Sequence, residues 1–504
     1  MTDSTANTST DKPTSDDEKK RQRERVERLL LRAPSKSTGH VTVAGKKMEY
    51  AATAGFVPIV ANMSDTHKGE PDAALFVTSY TLQRKGVAAK AAERPILFAF
   101  NGGPGSASVW LHLGALGPKR VPIHEDGTMP PPPYAVEDNP HTWFEHFDLV
   151  FVDPPHTGYS LTSSDAARKK MLSVDGDVEA LAECIRVHLA RTQRWASPVY
   201  LAGESYGTTR GAALAEKLLD MGVALSGVIL VSCAMDIQTL DFEGKNDLAY
   251  GLFLPGFAAA AQYHGKLKGA LGASGAKARA AAEAFVVEDY LGALHQAGRL
   301  VATEKTRIAK RMAELTGLSA AMIEDHNLRI SDQTFFSELL HAEGRIVGRL
   351  EARVTGPMGA RKLRQWEFDP GLEAIISPYT MAGNAYLREQ LGVDIDQRYE
   401  ILSMEVNKSW NWLQGDSKGN SYTTTSASLA RALRRNPNLR VFVASGYYDL
   451  GTPYSATDYS LARLDVTPEV LARVQHHYYD AGHMMYTRTA DMKKLKTDLA
   501  AWLG

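Results

Sequence analysis

The sequence predicts an α/β fold: a mostly parallel central sheet wrapped by helices, with a helical cap inserted between its two halves. Three observations predict it. Short, continuous apolar runs such as P-I-L-F-A-F at 95–100 alternate with helical patterns, as buried parallel strands and their crossovers do. One such run, beginning at Val199, turns through Gly203-Glu204-Ser205-Tyr206-Gly207 into an alanine-rich helical stretch. From Gly251 to Gly371 strand signals vanish, and stretches such as A-K-A-R-A-A-A-E-A-F have the composition of a helical insertion capping the mouth of a site. The expected division is a disordered polar tail over 1–25, core over 26–250, cap over 251–371 and core again over 372–504.

Composition narrows the function classes. With 44% hydrophobic and 23% charged residues over 504 positions, the chain can bury a large core. A formal net charge of -1 recommends neither a nucleic-acid nor an anionic membrane partner. Cys184 and Cys233 allow at most one bridge, which excludes a disulfide scaffold. The polar start M-T-D-S-T-A-N-T-S-T lacks an apolar signal core, so a cytoplasmic location is expected. The longest apolar candidate, 248–263, is interrupted by Gly251, Pro255 and Gly256 and is too short to span a bilayer. No H-E-x-x-H or Cys/His cluster is present, so neither a metal nor a cofactor is expected. No pattern speaks to the oligomeric state.

Taken in order, the mixed-charge run at 16–32 reads as a solvated lead-in helix. Alternating patterns at 40–53 and 73–82 read as antiparallel strands entering the sheet, and 95–100 as a buried central strand. That strand empties into Asn101-Gly102-Gly103-Pro104-Gly105-Ser106-Ala107-Ser108. No lysine follows at phosphate-loop spacing and no G-x-G-x-x-G is present, which weakens a phosphate-cradling role for this turn. A second buried strand runs from 147 into the turn Asp153-Pro154-Pro155-His156-Thr157-Gly158-Tyr159-Ser160. A helix near 174–193, the strand and helix around Ser205, and a strand at 227–232 continue the alternation. After the cap, a strand at 439–444 precedes Asp449, and a strand at 476–480 precedes His483.

G-x-S-x-G between a strand and a helix is the pattern of a nucleophile elbow. The strained turn lifts the serine hydroxyl above the sheet edge, and the glycines remove side chains that would collide there. Small residues that merely tighten a turn give the same five letters, so the partners decide. A serine nucleophile needs a histidine base and an orienting acid, which in this architecture follow in the order Ser, acid, His at strand ends. Ser205, Asp449 and His483 satisfy that order. Asp458 falls in a helical pattern where a solvated carboxylate is expected, Asp480 lies too close to His483, and His476-His477 fall inside a strand. Backbone N–H groups of Gly103 and Tyr206 are the expected oxyanion donors.

Four blocks, Asn101-Gly102-Gly103-Pro104-Gly105, Gly203-Glu204-Ser205-Tyr206-Gly207, the Asp449 loop and Ala481-Gly482-His483-Met484, resemble the signatures of serine carboxypeptidases. The resemblance runs from about Tyr50 to the carboxyl terminus and is weakest through the insertion. It implies an α/β-hydrolase fold, a peptide or acyl substrate, and release of carboxyl-terminal residues through an acyl-enzyme. It also implies that Asn101, with Gly102 beside it, and a protonated Glu204 hold the substrate's terminal carboxylate. The chain departs from the pattern at Ala99, Ser106 and Ala115, where plant and fungal members carry tryptophan, cysteine and a second glutamate, and at His156, where glycine is usual. Losing that second carboxyl leaves an esterase or acyltransferase on the same scaffold, or a non-catalytic binding protein, as the alternatives.

Overall fold

Leu97 and Ala99 pack into one core layer and Ile96, Phe98 and Phe100 into the other, so the strand Ile96–Phe100 is buried on both faces. That explains why its sequence reads as an unbroken apolar run rather than an alternating one. In the computed structural model, which describes residues 15–60, 69–83, 94–415 and 421–504, ten strands form the main sheet. They are β1 (Ser35–Val43), β2 (Lys46–Ile59), β3 (Ala73–Leu82), β4 (Ile96–Phe100), β5 (Asp148–Val152), β6 (Leu161–Thr162), β7 (Val199–Ser205), β8 (Leu225–Cys233), β9 (Arg440–Gly446) and β10 (Val474–Tyr479). Their spatial order is β1-β2-β3-β5-β4-β7-β8-β9-β10, with β6 beside β3.

β1 to β3 run antiparallel, and β3 meets β5 antiparallel as well. From β5 onward every neighbouring pair is parallel. The inversion of β4 and β5 opens a crevice at the carboxyl ends of the central strands, the usual place for a site in such sheets. This strand order, with a strand–serine–helix elbow after β7, makes the fold that of an α/β-hydrolase.

Helices cover both faces. On one side lie α1 (Val174–Arg191) and α2 (Tyr206–Asp220), which present Leu181, Ile185, Leu214 and Leu218 to the sheet. On the other lie α3 (Pro370–Ala385) and α4 (Thr489–Leu503), with Ile375, Tyr379, Leu495 and Trp502. Between β8 and β9 the chain leaves the sheet for a run of helices from Leu248 to Glu338. These helices share a core of their own, in which the rings of Phe257 and Phe335 stack 4.1 Å apart. Tyr448 and Leu450, from the loop after β9, complete that core, so the cap sits directly on the loop that carries Asp449.

One expected boundary is corrected. The tail expected over 1–25 gives way to helix at Ser15, and Ser15–Leu31 packs Val26 and Leu29 against Ala74 of β3; residues 1–14 lie outside the described residues. The stretch Leu248–Tyr263, set aside as a membrane span because Gly251, Pro255 and Gly256 interrupt its apolar run, is one helix with Pro255 inside it. Its glycines are contact points: a Cβ on Gly256 would lie 2.7 Å from the side chain of Leu450. No described helix is long and apolar enough to cross a membrane.

Candidate active site

Ser205 ends β7 and begins α2 with φ 59° and ψ -131°, a conformation non-glycine residues avoid. The glycines around it leave room for no side chain of their own. A Cβ on Gly203 would collide with the Gly207 carbonyl, and one on Gly207 would lie 2.7 Å from the Phe100 carbonyl. A Cβ on Gly102 would strike the Tyr206 nitrogen, so the glycine-rich turn after β4 is pressed against the elbow backbone. Gly103, with φ 100°, is the exposed residue of that turn. Ser205 itself keeps partial access to solvent while Glu204 and Tyr206 on either side are buried.

The expected acid and base meet at the carboxyl ends of β9 and β10. His483 Nδ1 lies 2.8 Å from Asp449 Oδ2. Asp449 is held in turn by three donors: the Gly451 and Thr452 N–H groups reach Oδ1 at 2.8 and 2.9 Å, and the Thr452 hydroxyl reaches Oδ2 at 2.7 Å. The histidine loop is anchored beside the elbow. Cys233 pairs with Ser205 across β8 and β7, and the preceding Ser232, itself at φ 52°, donates its hydroxyl to the His483 carbonyl at 2.6 Å. Burial opposes charge on His483, but the Asp449 carboxylate and its hydrogen bond outweigh burial and leave the imidazole above its ordinary value. Burial pushes Asp449 the other way; the charge and hydrogen bond of His483, with Thr452, bring it below the usual carboxylate range.

Asn101 and Glu204 form a buried pair next to the elbow. Asn101 Nδ2 donates to Glu204 Oε1 at 2.8 Å, while Asn101 Oδ1 accepts the Leu111 N–H at 2.9 Å, which fixes the amide's orientation. Burial raises Glu204 to about 7, with the charge of His483 opposing it. Its Oε2 has no hydrogen-bond partner among the described residues.

Sequence reasoning missed several supports. Arg210 is fully buried under the elbow: its Nε donates to Asp177 at 2.5 Å, its Nη1 to the Asn101 carbonyl, and its guanidinium lies 5.0 Å from the centre of the Tyr206 ring. Arginine on an apolar helix face, R-G-A-A-L, was the available signal. Thr452, three residues past Asp449, follows the same logic of a short polar side chain in a turn. Asp458 lies in a helix and is partly exposed, as expected, but it also accepts from Tyr478 at 2.6 Å and lies 2.9 Å from His476 Nδ1, whose Nε2 is 2.9 Å from Ser445 Oγ. That second Ser–His–Asp string is a strut between β9 and β10, because Ser445 is wholly buried. His156 adopts φ 60°, which explains why glycine is at home there, and holds the position through Thr162 at 2.8 Å.

The family description "Serine carboxypeptidase" matches residues 47–239, which include the glycine-rich turn and the elbow. The pheromone-processing carboxypeptidase KEX1 of Yarrowia lipolytica is 30% identical over 151 residues, 29% of this chain and 23% of that protein. Serine carboxypeptidase-like 7 of Arabidopsis thaliana is 29% identical over 117 residues, 23% of this chain and 25% of that protein. The matches thus span about a quarter of these relatives' length. Among solved structures, a proline iminopeptidase from Mycobacterium smegmatis aligns over 89% of this chain and 97% of its own at 13% identity, with a TM-score of only 0.35. The fold therefore rests on strand order and elbow, and within it residues 47–239 are similar to serine carboxypeptidases.

Proposed function

We propose that the chain is a serine-type carboxypeptidase that releases carboxyl-terminal residues through an acyl-enzyme. The observation that carries this reading is the buried Asn101–Glu204 pair set directly against the elbow of Ser205. A nucleophile alone would suit any acyl transfer. A dry amide beside a carboxyl that burial keeps protonated suits a second carboxylate, the free end of a peptide.

In this mechanism the Ser205 hydroxyl adds to the carbonyl carbon of the last peptide bond and its proton passes to His483. Asp449 holds the imidazole by Nδ1 and stabilises the cation that forms. The oxyanion is held by the N–H groups of Gly103 and Tyr206. The C–N bond breaks, His483 protonates the departing amine, and the released amino acid keeps its carboxylate on Asn101 and Glu204. Water, deprotonated by His483, then cleaves the ester and restores Ser205. The absence of a carboxyl at Ala115 supports the second reading, an esterase or acyltransferase using the same acyl-enzyme. Incubation with peptides, simple esters and amine acceptors, with the acyl-enzyme on Ser205 trapped and mapped, separates them: peptide acids as the best substrates support the first reading, and esters or amine acceptors with no effect of a free carboxyl support the second.

A further inference from the structure

Glu204, with alanine rather than a second carboxyl at 115, interacts with two buried phenols, Tyr486 and Tyr379. The Tyr486 hydroxyl is buried, like Glu204 Oε2, and neither makes a hydrogen bond of normal length among the described residues. The two still face each other closely enough to interact as a long hydrogen bond, and Asn101 acts on Tyr486 in the same way. Tyr379 belongs to the same cluster: a Cβ on Gly114 would collide with the Tyr486 ring and lie 2.7 Å from the Tyr379 oxygen. That crowding explains the glycine beside Ala115, whose own carbonyl is occupied by Asn139 at 2.9 Å. Glu204 also feels the charges of His483 and Asp449.

We propose that Tyr486 is a third binding group for the substrate's terminal carboxylate, its phenol donating alongside Asn101 and Glu204. The proposal rests on the carboxypeptidase reading. Two buried polar atoms that reach each other only at long range are under-satisfied, and a carboxylate binding beside them would pair both. A carboxylate has acceptor sites enough for a phenol, a carboxyl and an amide together. The chemistry also differs from that of two paired carboxyls. A phenol ordinarily titrates near 10, and burial raises Tyr486 well beyond that, so it stays a donor wherever the enzyme works. Glu204 is a donor only while protonated.

The test is Tyr486→Phe, read as the ratio of kcat/KM for a matched peptide acid and peptide amide across pH. A ratio taken in one preparation does not depend on the folded fraction. The ratio at pH 5 should fall about tenfold, as loss of one hydrogen bond to a charged group predicts. The pH at which the preference fades should rise, because the phenol's interaction lowers Glu204 and its removal leaves the carboxyl protonated to higher pH. An unchanged ratio, or a moved pH limb with an unchanged ratio at pH 5, overturns the proposal while leaving the carboxypeptidase reading intact. A wild-type enzyme with no acid preference at any pH overturns both.

Discussion

Ser205 owes its left-handed backbone to neighbours that tolerate only glycine, so a change at the side chain should remove chemistry without disturbing the turn. Ser205→Ala should fold normally and lose on the order of 10³-fold or more in kcat/KM, measured on any substrate the enzyme turns over. Asp449→Asn should keep the loop, because Gly451 and Thr452 can still donate to the retained oxygen, yet leave the imidazole without its anionic partner. A loss of roughly 10³- to 10⁴-fold is expected; near-normal rates in that variant would assign the orienting role to another carboxylate. Ser205, Asp449 and His483 were legible because their order along the chain and their places after apolar runs are local facts. Tyr486 and Arg210 were not, because each acts on residues far away in sequence; Thr452 reaches back only three residues to Asp449, but nothing in a lone threonine says where it points.

The elements follow the same division. β4, β7, β8 and β9 were readable because a strand buried on both faces leaves a continuous apolar run, whereas the stretch read as strand at 40–53 is the hairpin of β1 and β2, which turns at Ala44 and Gly45. The helix Leu248–Tyr263 was legible as part of a helical insertion but not in its continuity. Its glycines and proline argue against an unbroken helix locally, but burial among cap residues and against Leu450 outweighs propensity. The elbow should be the least tolerant element. Gly203→Ala drives a Cβ into the Gly207 carbonyl and should cost ~1–3 kcal/mol or more, whereas Gly244→Ala, with nothing within 4 Å, should be near neutral. Chemical denaturation of the two variants checks this, and equal stabilities would mean the elbow backbone is looser than its contacts imply.

At the scale of the whole molecule, buried carboxyls tie stability to pH. Asp153, between β5 and its turn, accepts the Ser108 N–H at 2.9 Å and the Tyr399 hydroxyl at 3.2 Å through one oxygen, while the other has no partner among the described residues. Burial raises it to about 7 against an ordinary value of 3.8. The native state therefore holds a proton that the unfolded chain releases, so this group's contribution is full below about 4 and is lost as pH rises to about 7. Asp153→Asn should gain on the wild type by a few kcal/mol between pH 4 and pH 8, at about 1.36 kcal/mol per pH unit of the window; a difference independent of pH would show that Asp153 is ionised in the native protein. Fold, elbow and cap exist to expose one serine beside one protonated carboxyl, and that pairing is the central claim. It is tested most directly by kcat/KM for a peptide with a free carboxyl terminus against its amide, from pH 5 to pH 8. The acid should be preferred by roughly ten- to a hundred-fold at pH 5, since an unpaired buried group costs ~1–3 kcal/mol. The preference should shrink as Glu204 ionises at about 7 and repels the substrate carboxylate; equal rates for acid and amide throughout would contradict the account.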